Sequence, residues 1–378
     1  MNLHVFNPEH EMALALDGHY LNLPHNIQEL RMNLGWLPAL WADDGDVVMV
    51  DDKAFAIKAR AKCRGVKTAD VLFLEDDDLR RQTFDNVLPW GWDAALLRRL
   101  SLAGITADNL PDREKTQAIR QAAGRRTTID ALQVIREGLT DVTCGSARYA
   151  RSVREALGDD FTDSLTDSLN TAETVPARMP LPAEPLVVKA PWSSSGRGIR
   201  YINGCPNANT LLWMANVIRR QGGVMVEPYY DKVKDFAMEF VIHNGVARYL
   251  GLSLFINANG AYTGNLIATE EEKMGRLGRY LPGELLDEVA QRICRYAEDR
   301  FATTYEGPFG VDMMVVATKG TTFLLHPCVE INLRRTMGHV ALALQTSAAT
   351  PTRVMRIVHD VNYRLTVSTP GNNFVHVI

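Results

Sequence analysis

Glu330 and Asn332 stand in the run Val329-Glu330-Ile331-Asn332-Leu333-Arg334, where apolar and polar residues alternate. Such alternation reads as a strand, and residues two apart on a strand share a face. A carboxylate, an amide oxygen and the guanidinium of Arg334 therefore line up in one row. A second acid, Asp312, sits in Gly310-Val311-Asp312-Met313-Met314-Val315-Val316, another strand-like run. Thr318-Lys319-Gly320-Thr321 between the two runs reads as a hairpin turn. Two acids and an amide on neighbouring strands suit a hard cation such as Mg²⁺, which takes oxygen ligands and leaves room for phosphate. An arginine in the same row suits the phosphate itself.

Upstream, Leu186-Val187-Val188-Lys189 delivers a lysine from a β-branched run into Ala190-Pro191-Trp192-Ser193-Ser194-Ser195-Gly196-Arg197-Gly198. Small residues let backbone N–H groups approach phosphate oxygens, and hydroxyls add donors. The loop is not G-x-x-x-x-G-K-[ST], and Tyr201 takes the third glycine position of G-x-G-x-x-G. A polar surface turn is the plainer reading of the loop alone. Between the two signals, Val224-Met225-Val226-Glu227-Pro228-Tyr229 reads as a strand ending at an acid, where proline turns the chain. Backbone groups exposed at such a hinge can read adenine, and Asp235 follows at a distance that suits a ribose hydroxyl. Glu227 alone would equally be a surface carboxylate at a strand end.

Asn7-Pro8-Glu9-His10-Glu11 follows the first strand. In an open α/β sheet, ligands gather at the carboxyl ends of strands. Glu9 and His10 are therefore candidate contacts for an amine or peptide-like substrate, with a helix N-terminal role as the alternative. His10-Glu11 begins like H-E-x-x-H, but Leu14 occupies the second histidine position, which excludes that zinc motif. His326 beside Cys328 is assigned to packing, and Trp36, Trp41, Trp90 and Trp92 to the core of the first third. His339 is either structural or close to the phosphate.

The elements that must carry these groups follow from the pattern of the whole chain. Its 378 residues allow more than one core, and 46% hydrophobic with 23% charged residues is ordinary for a globular protein. A net charge of −4 gives no electrostatic case for nucleic acid. Five scattered cysteines without a C-x-x-C pair argue against a disulfide scaffold and fit a cytoplasmic protein. No apolar run approaches the ~20 residues that span a bilayer, and the charged N-terminus does not read as a signal peptide. Short strands at Leu3–Phe6, Val47–Val50 and Val71–Leu74, with helices between and after them, have a βαβ rhythm. Leu110-Pro111-Asp112 marks a boundary before a helix. Residues 159–185 read as a connection rich in Ser, Thr, Asp and Pro. Strands follow, then a helix over Gly283–Arg300 and the two acid-bearing strands.

In order, Lys115 at a helix start, Lys189, the Ser/Gly loop, Glu227 before a hinge, Asp312 and Glu-x-Asn resemble the ATP-grasp superfamily over roughly residues 112–345. The resemblance implies a fold of mixed α/β and α+β class. A small N-terminal α/β domain (1–111) would precede a subdomain with the phosphate lid (112–225) and a C-terminal subdomain with the metal site (226–378). It implies ATP and Mg²⁺ as cofactors. Lys115 and Lys189 would contact phosphates beneath a lid of Ser193, Ser194, Ser195, Gly196 and Gly198. Glu227 and the backbone near Tyr229 would meet adenine, and Asp235 the ribose. Asp312, Glu330 and Asn332 would hold Mg²⁺, with Arg334 on the transferred phosphate. His326-Pro327 interrupts the second strand, where a bulge would still deliver Glu330. The tail Arg334–His339 departs from the Pro-Gly ending of the D-alanine–D-alanine ligases, and no close subfamily is indicated. The implied activity is an ADP-forming ligation of a small or peptide-like carboxylate to an amine through an acyl phosphate. A kinase of the same fold and a nucleotide-binding protein without turnover are the alternatives. Neither a nucleic-acid nor a membrane partner is expected, and the oligomeric state is open.

Overall fold

The computed structural model describes residues 1–17, 22–63, 66–106, 110–158, 161, 184–193, 198–258, 261–318, 320, 322–344 and 351–369. The lid residues Ser194, Ser195 and Gly196, most of the 159–185 connection, and Lys319 and Thr321 of the hairpin turn lie outside them.

The fold is a mixed α/β and α+β assembly of four four-stranded sheets. The first is parallel: β1 (Asn2–Val5), β2 (Val47–Met49), β3 (Leu72–Leu74) and β4 (Asn86–Pro89) lie in the order β3-β2-β1-β4. Helices join its strands, as the βαβ rhythm requires, and β4 is a strand the sequence pattern does not announce. Aspartates cap two helices, Lys53–Lys62 between β2 and β3 and Ala94–Leu102 after β4. Asp52 accepts from Phe55 N–H and Asp93 from Leu96 N–H, satisfying donors that the first turn leaves open.

The second sheet is antiparallel: β5 (Arg148–Ala150), β6 (Leu186–Lys189), β7 (Ile199–Ile202) and β8 (Val224–Pro228), in the order β5-β8-β6-β7. β8 runs through the expected boundary at 225/226, so Met225 and Val226 share one strand.

The remaining strands are β9 (Lys232–His243), β10 (Val246–Ser253), β11 (Phe255–Ala258), β12 (Ala261–Ile267), β13 (Gly307–Ala317), β14 (Phe323–Asn332), β15 (Arg353–His359) and β16 (Tyr363–Ser368). They form two antiparallel sheets, β10-β9-β13-β14 and β11-β12-β15-β16. Phe236, Met238, Phe240, Val311, Met313 and Val315 cover one face of the β9–β13 pair. They pack into a single core with Leu286, Val289 and Ile293 of the helix Gly283–Phe301. The opposite face carries Asp235, Glu239 and Asp312 among Ala237, Val241 and Met314. A separate core joins Phe6, Trp36, Val48 and Trp90 of the N-terminal domain to Val340, Met355 and Leu365 near the C-terminus. The last third of the chain is thus packed onto the first. Trp36 and Trp90 lie in that core as expected, while Trp41 and Trp92 are only partly buried.

Candidate functional site

The β13–β14 register places Asp312 directly opposite Glu330, and Gly310 opposite Asn332. Met314 then faces His326, so residues 327–329 of β14 stand against Met313 alone. The two extra residues form a bulge around Pro327, which has no N–H to give a ladder. On the other side of β13, Asp312 faces Ala237 and Gly310 faces Glu239. One face of the sheet therefore carries Asp312, Glu330, Asn332 and a third acid, Glu239. Glu239 hides in the apolar run Phe236–Ile242, and only its strand parity could have singled it out.

Loss of water, then the carboxylates of Glu330 and Glu239, push the Asp312 carboxyl up to about 7, against the Arg334 charge and an Asn332 hydrogen bond. Like charges held this close favour a proton or a cation. Among the described residues no three His, Cys, Asp or Glu side chains form a closed metal cluster. Asp312, Glu330 and the Asn332 amide oxygen are an all-oxygen donor set that fits Mg²⁺. In this arrangement arginines occupy two of those donors. Arg125 Nη2 lies 2.7 Å from Glu330 Oε1, and Arg334 Nη2 donates to Asn332 Oδ1 at 3.0 Å.

Arg125 was not singled out by sequence pattern. It sits in a Gly-Arg-Arg turn between the helices Arg113–Ala122 and Thr127–Arg136, without a local motif. Its guanidinium is buried and ties the acidic row to the loop after β6. Nη1 donates to Ala190 O at 2.8 Å and to Ser193 Oγ at 2.7 Å. Gly198 closes the base of that loop, with its carbonyl accepting from Ala190 N–H at 2.8 Å. A Cβ on Gly198 would fall 2.1 Å from Ser193 Oγ, so only glycine fits. Lys115 lies on the exposed first turn of its helix, where Asp112 caps its N–H.

Lys189 and Glu227 meet diagonally across β6 and β8, where Lys189 stands opposite Met225 and Glu227 opposite Val187, with Nζ 2.7 Å from Oε2 and both side chains buried. The Tyr229 N–H donates to Pro185 O, and its ring packs edge-on against Tyr201. Asp235 accepts from Lys232 Nζ at 2.6 Å. His326 lies in the same interior, with neither ring nitrogen hydrogen-bonded; burial and the nearby Lys189 charge lower its pKa to about 3. The neutral ring makes an edge contact with Tyr230.

The N-terminal loop reaches the site through Glu11, whose Oε1 accepts from Arg334 Nε at 2.6 Å. Glu9 and His10 are spent internally. Glu9 pairs with Arg31 Nη1 at 2.7 Å, and His10 Nδ1 lies 3.1 Å from Asp93 Oδ2. The helix geometry explains the division: the first turn spreads neighbouring residues around its axis, so only one of the three faces Arg334.

No protein-family model matches the sequence, and no curated protein matches it. Solved structures do. N5-carboxyaminoimidazole synthetase from Staphylococcus aureus, complexed with ADP, is 13% identical with a TM-score of 0.49, over 99% of this chain and 94% of that one. The biotin carboxylase domain of a 2-oxoglutarate carboxylase from Hydrogenobacter thermophilus, in complex with MgADP and bicarbonate, is also 13% identical, with a TM-score of 0.49. The match covers 94% of this chain and 74% of that one. An ATP-grasp superfamily protein from Archaeoglobus fulgidus is 13% identical with a TM-score of 0.47, over 98% and 100%. At such identities and TM-scores the likeness says nothing of activity or substrate. No helix among the described residues is long and apolar enough to cross a membrane.

Proposed function

We propose that this chain is an ADP-forming, ATP- and Mg²⁺-dependent ligase of ATP-grasp type, joining a carboxylate to an amine nucleophile through an acyl phosphate. The observation that carries this reading is the polar row on one sheet face. Asp312 stands opposite Glu330 and is hydrogen-bonded to Asn332, and Arg125 links the row to the phosphate loop. A carboxylate oxygen would attack the γ-phosphorus of ATP and expel ADP. The amine would then attack the acyl carbon and expel phosphate. Lys189, Arg125 and Arg334 would offset charge on the phosphates, positioned before the reaction so that little reorganisation is needed. Mg²⁺ held by Asp312, Glu330 and Asn332 would add charge neutralisation on the same oxygens. Glu227 at the end of β8 and the backbone at Tyr229 would face adenine, and Asp235 the ribose. Residues 193–198 would cover the phosphates and keep water from the acyl phosphate. Glu11, rather than Glu9 or His10, is the N-terminal residue that would stand nearest the transferred phosphate, through Arg334.

Calorimetric titration with ATP, with and without Mg²⁺, tests the site. Tight binding should require Mg²⁺, and Glu330→Gln should remove that requirement together with at least tenfold in affinity. Unchanged Mg²⁺-dependent affinity in the variant would refute the assignment. ADP release that needs both a carboxylate and an amine identifies the ligase; release with the first substrate alone identifies a kinase.

A further inference from the structure

A cavity lies beside the loop that follows β6, open to solvent and about 670 Å³ in volume. That is within the ~300–1,000 Å³ of small-molecule sites. Lys189, Glu227, Asp312 and Glu330 do not line it; Arg120, Arg126 and Arg220 do, with Tyr149, Trp192 and Gln221 between them. The acids at its wall are already engaged: Asp17 pairs with Arg120 at 3.2 Å and Asp130 with Arg300 at 3.2 Å. Arg126 and Arg220 have no acidic partner among the described residues. Arg126 is laid over the Tyr149 ring, 5.1 Å from its centroid. Arg120 lies 4.0 Å over Trp192. Arg120 is committed, its Nε on Leu14 O at 2.7 Å and on Asp17, whereas Arg126 and Arg220 can offer their N–H edges to phosphate or carboxylate in a fork.

The cavity is also wired to the loop. Trp192 N–H donates to Gln221 Oε1 at 3.0 Å, and Gln221 Nε2 returns a bond to Trp192 O at 3.1 Å. Trp192 Nε1 donates to Arg120 O at 3.0 Å. The next residue, Ser193, accepts from Arg125, which holds Glu330. The Arg125–Arg126 pair thus turns one guanidinium to the acidic row and the other to the cavity.

We propose that this cavity binds a small polyvalent anion, phosphorylated or polycarboxylate, on Arg126 and Arg220, at a site separate from the one that takes nucleotide. The bound anion steadies Trp192 and with it Ser193 at the base of the phosphate loop. The binding claim stands whether or not the chain is a ligase.

Pyrophosphate and citrate, titrated separately into the full chain by calorimetry, test it. At least one should bind, and the Arg126→Ala, Arg220→Ala double variant should lose tenfold or more in affinity. Both side chains are exposed, so the variant should keep the parent's melting temperature. The Lys189→Met, Glu227→Gln variant should leave this binding in place, and saturating ATP should not displace it. Pyrophosphate alone binding would assign a phosphorylated ligand, and citrate alone a polycarboxylate. Equal affinity in the arginine double variant, loss of binding in a folded Lys189→Met, Glu227→Gln variant, displacement by ATP, or no binding of either anion at millimolar concentration would each overturn the proposal.

Discussion

Glu11 and Arg334 come from opposite ends of the chain and meet at 2.6 Å, Oε1 to Nε. The contact joins the loop after β1 to the residue beyond β14 and fixes where the N-terminal domain stands relative to the acidic row. It also fixes Arg334 itself, whose Nη2 is then aimed at Asn332. Without Glu11 the guanidinium would be free to swing, and its positive charge would lose its only carboxylate hydrogen-bond partner among the described residues.

Glu11→Gln should therefore destabilise the chain by roughly 2 kcal/mol, less than the ~3–5 kcal/mol of a fully buried pair because both groups keep some contact with water. Denaturant unfolding measures this. A change under ~0.5 kcal/mol, the size of an ordinary surface substitution, would mean that the pair does not hold the two domains.

Asp312 predicts a pH dependence of opposite sign to the usual carboxylate. Its folded pKa is raised from 3.8 to about 7. Between those values the folded chain keeps a proton that the unfolded chain has lost, so this group's contribution to stability declines as pH rises. Asp312→Asn should match the parent near pH 4 and exceed it by ~2 kcal/mol above pH 7, given ~1.4 kcal/mol per unit and some water at the site. The same proton must leave when Mg²⁺ binds. Calorimetry at pH 6 in buffers of different ionisation enthalpy should show close to one proton released per Mg²⁺ bound with nucleotide. No release would place the cation elsewhere.

Lys189 on its own looks like a charge carried for phosphate, dispensable to the core. Its 2.7 Å pair with buried Glu227 changes that expectation. Lys189→Ala would strand a carboxylate out of water, at a cost of ~3–5 kcal/mol. Lys189→Met with Glu227→Gln should fold with near-parent stability and bind ATP at least tenfold more weakly. If the double variant keeps parent affinity for Mg·ATP, neither residue touches the nucleotide.

These cases show what the sequence could carry. Asp312, Glu330 and Asn332 were legible because strand alternation is local and their chemistry is unusual for a strand face. The bulge at Pro327 was legible because proline cannot sustain a ladder. Arg125 was not, because its partners Ser193 and Glu330 are distant in sequence and it sits in a turn among many surface arginines. Glu11 does not stand out from Glu9 and His10, since spacing alone does not say which of three helical neighbours faces a distant strand. The sheet of β11, β12, β15 and β16 escaped for a related reason: β12 pairs β15 across a long separation that no local pattern records.

Glu239 offers the most direct test of how the acidic row is tuned. It lies between Gly251 on β10 and Gly310 on β13, both opposite it in register. Its Oε2 has no hydrogen-bond donor; His339 Nδ1 lies 3.0 Å away but itself accepts the Thr336 N–H. A Cβ on Gly338 would fall 1.8 Å from Glu239 Oε1, and one on Gly310 would fall 2.6 Å from Oε2. The glycines make the room this carboxylate fills. Gly338→Ala should cost ~1–3 kcal/mol by overpacking. Paired with Glu239→Ala, it should cost at least ~1 kcal/mol less, since the carboxylate's share of the clash is then gone and only the Ser253 Oγ contact at 2.6 Å is left. Strict additivity of the two substitutions would show that Glu239 is not what Gly338 accommodates. The electrostatic half is independent of packing: Glu239 helps push Asp312 up, so Glu239→Gln should move the Asp312 titration to lower pH. Proton release on Mg²⁺ binding should then fade at pH 6 while persisting nearer pH 5. A titration unmoved by Glu239→Gln would leave Asp312 governed by Glu330 and burial alone.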